Sequence, residues 1–127
     1  MGPTASLRAG ALLAGLAVGL GAFAAHGLKQ HLDPAALQTF ETGVRYQMYH
    51  ALALCLCGFA GRNGRATSNA AIAFAAGIAL FCGALYGLAL GGPRWLGPVT
   101  PFGGVAFLVG WLLLAIAAGP RVGRTPH

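Results

Sequence analysis

Acid is what this chain has least of. In 127 residues Asp33 and Glu41 are the only side-chain carboxylates, and charged residues make up 8% of the whole, against about 25% in an average soluble domain. With 57% of residues hydrophobic, there is too little polar surface to cover a core in water. The expected solvent is lipid. Three cysteines, Cys55, Cys57 and Cys82, lie inside apolar runs, so no disulfide framework is implied and they read as small packing residues.

Other absences narrow the function. The net charge is +6 and the isoelectric point about 10.1, yet the bases stand singly or in pairs between apolar runs. No basic face of the kind nucleic acid requires is present, so nucleic acid is not an expected partner. The glycines recur at helical spacing, whereas a phosphate-binding loop needs a preceding strand and a following lysine. No nucleophile and base stand together. Neither acid lies inside an apolar run, and small four-helix multidrug exporters need one there. Catalysis and cofactors are accordingly not expected.

The chain is short enough for one domain, residues 1–127. Four apolar runs near 6–26, 44–61, 69–91 and 102–119 are each long enough, or nearly so, to cross a hydrocarbon core of about 30 Å as a helix. The fold expected is an all-α bundle of four transmembrane helices, with a short amphipathic segment between helices one and two. A signal peptide competes for the first run, since Arg8 precedes it and Ala22-Phe23-Ala24 has a cleavable form. The run is longer than a usual signal core, which favours a retained helix.

Caps mark the helix ends. Asp33-Pro34 is an N-cap followed by proline at the first helical position, and Gly43 is a candidate bend in the helix that follows. Ser68 is a candidate cap for the third helix, Gly91-Gly92-Pro93 a stop, and Thr100-Pro101 the start of the fourth. Ala11, Gly15 and Gly19 recur every four residues, as do Ala75, Ala79, Gly83 and Gly87. Such small-residue seams predict that helices one and three pack closely.

Arg8, Arg62, Arg65, Arg121 and Arg124 fall on the side of the termini, and Lys29, Arg45 and Arg94 opposite. The excess places both termini in the cytoplasm. Tyr46, Tyr49 and Trp95 then form an aromatic belt at the outer surface.

GAFAAH at Gly21 to His26, ETGVRYQMYHALAL at Glu41 to Leu54, FCGALYGLAL at Phe81 to Leu90 and GPVTPFGGVAFLVGW at Gly97 to Trp111 together resemble the YgdD-like family of small integral membrane proteins. That family is a domain of unknown function with a relative in animals, a small transmembrane protein. The resemblance touches all four runs in order. It implies a multi-pass protein of the bacterial cytoplasmic membrane and no activity, so no catalytic residue is carried over. Ala24 and Cys82 stand where relatives often carry glycine and serine, small-for-small changes.

The stretch from His26 to His50 holds both acids and three of the four histidines. Glu41, Arg45, Tyr46, Gln47, Tyr49 and His50 form its candidate polar cluster, with Glu41 and Arg45 spaced to pair. His50 lies within the second run, where an ionisable residue is a functional candidate by default. The plainer reading is a neutral imidazole bonded to a neighbouring helix. His26 and His50 are weak candidates for holding a haem between helices, but nothing at ligand spacing completes a metal site. Two functions follow. One is a non-enzymatic accessory or assembly protein, associating with other membrane proteins or with itself in the bilayer. The other is a ligand-binding or proton- or solute-conducting protein built on His26, Glu41, Arg45 and His50.

Overall fold

The computed structural model describes residues 1–60 and 64–119. Arg62, Arg121 and Arg124, which enter the count of bases that orients the chain, lie outside the described residues. Four helical rods follow one another, with no strand among the described residues. The first is α1, Pro3–His26, and the second α2, Pro34–Phe59. The third consists of α3, Gly64–Gly77, a π-helical turn, Ile78–Cys82, and α4, Gly83–Ala89. The last is α5, Leu96–Ala117. Three rods are long and apolar enough to cross a membrane, and α2 is the exception. Large apolar side chains such as Leu12, Leu16, Phe102 and Leu108 stand exposed on the outside, which suits lipid and would be costly in water.

Several helix ends are as the sequence dictates. Asp33 Oδ1 accepts the Ala36 N–H at 2.8 Å and caps α2, with Pro34 behind it. The third rod stops at Gly91, whose φ of +90° lets Gly92 N–H reach back to Gly87 O at 2.7 Å and Gly91 N–H to Leu88 O at 3.2 Å. This pairing satisfies the last carbonyls of a helix and favours glycine at the turning residue.

Other expectations are corrected. α2 is unbroken from Pro34, so the amphipathic stretch is the first part of that helix, continuous through Gly43, and not a separate element. Leu37, Phe40 and Val44 pack instead beside Ala24, Leu28 and Ala89. Ser68 does not cap the third rod, which begins at Gly64; its hydroxyl bonds the Met1 amine at 2.6 Å. The fourth rod starts at Leu96 and runs through Pro101. Thr100, expected as its cap, instead donates to Leu96 O at 3.2 Å.

The expected close packing of helices one and three gives way to other partners: α1 lies along α2, and α3 along α5. Gly15, Gly19 and Gly83 have open space where a side chain would point, and Ala11 and Ala79 are exposed. Of that proposed seam only Gly87 is closely met, by Leu96. The π turn is one reason. It takes an extra residue into the helix, so a four-residue repeat that crosses it no longer keeps to one face.

The glycines that do bring rods together are others. A methyl group on Gly10 would lie 2.6 Å from the Ala51 carbonyl oxygen, and one on Gly58 2.9 Å from the Pro3 oxygen. Gly77 is covered by the Phe107 ring and Gly110 by the Phe74 ring. Gly103 meets the backbone of Phe81, inside the π turn. Helix backbones approach this closely only where no side chain intervenes.

Candidate functional site

Two polar side chains of α2 point into the bundle, Gln47 and His50, both nearly fully buried. At 1.5 Å per residue His50 lies about 24 Å from the start of a helix about 39 Å long, so both sit near its middle. Their neighbours differ.

Gln47 bridges three rods. Its Nε2 donates to the Leu13 carbonyl of α1 at 2.8 Å, and its Oε1 accepts from the Tyr86 hydroxyl of α4 at 2.7 Å. Gly43, one turn earlier, makes room for Tyr86: a methyl there would lie 2.6 Å from the ring. Phe40 covers Tyr86 from the other side, with ring centroids 4.9 Å apart.

His50 faces α5 instead. Its Nδ1 lies 2.7 Å from the Tyr46 carbonyl oxygen, which can only accept, and its Nε2 lies 3.1 Å from Trp111 Nε1, which can only donate. These partners fix the neutral tautomer with its proton on Nδ1. The imidazole stacks on Phe107, with centroids 3.5 Å apart and planes 9° apart, and Phe74 and Trp111 close its edges. No buried side-chain polar atom among the described residues lacks a partner. His50 is thus sealed among aromatic rings, and a second proton on Nε2 would meet the indole N–H head-on.

The remaining members of the predicted cluster are dispersed. Tyr46 stays beside His50, its ring centroid 6.0 Å from the imidazole and 4.8 Å from Phe81 with one edge exposed, whereas Tyr49 stands on the outside of α2, 53% exposed. Trp95, in the loop before α5, lies exposed at a rod end. Arg45 donates to Thr42 Oγ1 at 3.1 Å, and the predicted Glu41–Arg45 ion pair is not formed. His26 ends α1, exposed, while His50 is buried far along α2. A haem held between these two histidines is therefore geometrically out of reach. No cluster of three or more metal-ligating side chains occurs among the described residues.

Sequence reasoning passed over Trp111, Phe107 and Leu13 as partners. Trp111 was legible in principle, because an indole N–H deep in an apolar run needs an acceptor and His50 lies inside such a run, whereas His26 stands at the end of one. Leu13 acts through its backbone, which leaves no mark in the residue type.

Comparison with known proteins agrees with this architecture. Residues 20–104 match the family described as "Protein of unknown function (DUF423)". The UPF0382 membrane protein YwdK of Bacillus subtilis is 46% identical over 113 residues, covering 86% of this chain and 91% of that protein. A UPF0382 membrane protein of Staphylococcus epidermidis is 46% identical over 109 residues, covering 85% and 89%. One from Haemophilus influenzae is 40% identical over 99 residues, covering 77% and 80%. No solved structure matches the chain.

Proposed function

The chain belongs to the DUF423 family of small membrane proteins, and from that membership we propose a four-pass protein of the bacterial cytoplasmic membrane that works by association, as an accessory or assembly protein without catalysis. In this reading α2 is the fourth span. Part of its shortfall in apolarity comes from Gln47 and His50, which point inward, where Leu13, Tyr86, Tyr46 and Trp111 satisfy them. Its outer face beyond Tyr49 carries Leu52, Leu56 and Phe59, all exposed, an apolar surface suited to the bilayer interior, against lipid or against another membrane helix. The sequence count of five bases on the side of the termini, Arg8, Arg62, Arg65, Arg121 and Arg124, against three opposite supports a cytoplasmic position for both ends.

The observation that carries the reading is the state of His50. Both of its ring nitrogens are occupied by groups of the fold, so its chemistry is spent on joining α2 to α5. A proton carrier or ligand-binding histidine keeps one nitrogen for its cargo. Two measurements test this. Proton flux through vesicles carrying the protein should be unchanged by His50→Ala, and crosslinking in native membranes should capture protein partners. Flux that depends on His50 would replace this reading with a conducting one, and a strictly monomeric protein with no captured partner would remove it.

A further inference from the structure

The outward face of α2 carries Thr42, Arg45, Tyr49, Leu52, Leu56 and Phe59, at intervals that alternate between three and four. That alternation is the spacing of a helix seam made to lie along a second helix. No rod of this chain covers it: Tyr49, Leu52 and Leu56 are about half exposed and Phe59 79% exposed.

Charge distinguishes this face from the merely apolar faces of α1 and α5. Of the two acids, Asp33 is committed to capping α2. Glu41 stands one turn before Arg45 on the same side of the helix, and no ion pair joins them or any other described residues. Among the described residues Arg45 hydrogen-bonds only Thr42 of its own helix. Arg45 lies about 17 Å and Tyr49 about 22 Å from the start of α2 at 1.5 Å per residue, at the outer end of the apolar run 44–61, where a spanning rod enters the bilayer. A charge set against lipid there is costly unless it pairs with another group.

A face bearing one acid and one base side by side is complementary to itself. Contact about a two-fold axis brings residue i of one copy to residue j of the other and j to i. We infer that the outer face of α2 is the contact surface for a second copy of this chain, with Glu41 of each copy paired to Arg45 of the other and the Tyr49 and Leu52 side chains closing the seam below. This rests on the association reading above and specifies its partner.

The test uses two differently tagged full-length chains co-expressed in membranes and recovered through one tag. Wild-type chains should recover each other. Arg45→Glu leaves two acids on the face and Glu41→Arg two bases, so each variant should recover itself about tenfold less well or worse, since like charges set against each other cost several kcal/mol. Mixing the Arg45→Glu chain with the Glu41→Arg chain should restore recovery. Pairing within one chain cannot produce that rescue, because neither variant holds both signs. Self-recovery that survives in both variants, or a mixture no better than either alone, overturns the inference.

If the variants fail to accumulate, cysteine crosslinking in a Cys55→Ser chain decides. Leu52→Cys and Leu56→Cys should give oxidised dimers, and Leu12→Cys on α1 and Leu108→Cys on α5 should not; the opposite pattern overturns the inference. Capture of a different protein at Leu52 without self-dimers refutes the second copy and leaves the association reading standing. No captured partner of any kind removes both.

Discussion

The two antiparallel halves of the bundle, α1 with α2 and α3 with α5, are closed by one device and filled with different material. In the first half Gly10 lies against Cys55 and Gly58 against Leu7; in the second Gly77 lies against Phe107 and Gly110 against Phe74. In every case the glycine follows the covering residue of its own helix by three positions: Leu7 and Gly10, Cys55 and Gly58, Phe74 and Gly77, Phe107 and Gly110. Exchanging the two helices of either half maps one contact onto the other. The filling decides what each half can hold. Where backbones touch, a helix carbonyl comes within reach of Gln47; where rings fill the gap, they form the walls around His50.

The largest effects should come from breaking the backbone contacts. Gly10→Val thrusts a branched side chain at the Ala51 carbonyl and the Cys55 backbone nitrogen, and Gly103→Val at the Phe81 backbone. Neither neighbour can move without its whole helix, and overpacking of this kind costs up to about 3 kcal/mol. Both variants should lose most of their accumulation in membranes and lower the midpoint of thermal aggregation in detergent. Gly110→Ala meets first the Phe74 ring, a side chain and not a backbone, so its midpoint should fall by less than that of Gly10→Ala. Equal losses would break the contrast between the halves.

The central polar residues offer a finer test. Trp111→Phe removes the only donor to His50 Nε2 and leaves a buried acceptor unpaired, a cost of about 1 to 3 kcal/mol. Gln47→Leu removes both bonds of Gln47 and strands the Tyr86 hydroxyl, so a comparable loss is expected. In Trp111→Phe a second change, His50→Phe, removes the orphaned nitrogen as well and should recover part of the loss. Thermal midpoints of the three variants measure this, and a double variant worse than Trp111→Phe would show that the ring stack on Phe107 matters more than the hydrogen bond.

The element count, the Asp33 cap and the Gly91 stop were legible because composition and local chemistry dictate them. The pairing of rods was not. Counting small residues at intervals of four favoured Gly15, Gly19 and Gly83, whereas the contacts that close the bundle repeat at three with a larger residue before each glycine. The π turn was invisible too, because nothing in Ile78 to Cys82 departs from ordinary helix-forming sequence; Gly103 on the neighbouring rod is what accommodates it. The polar cluster scattered for a related reason. Six residues close in sequence share a helix and are bound to point in several directions, so Gln47 and His50 turn inward, Arg45 and Tyr49 turn out, and Tyr46 lies between, packed on Phe81.

The smallest expected effect is the sharpest test of that lesson. Gly15→Ala and Gly19→Ala place methyl groups in open space on α1 and replace a poor helix former with the best, a change worth up to about 1 kcal/mol per site in favour of the helix. The double variant should accumulate as well as the wild type and melt no lower, and its tagged copies should recover each other unchanged, since the proposed self-contact uses α2. A clear fall in stability would mean that α1 packs on a rod of its own chain through these glycines after all. A fall in recovery with stability intact would move the self-contact from α2 to α1, and the repeat at four would then mark a surface between molecules, as distinct from the repeat at three that closes each molecule on itself.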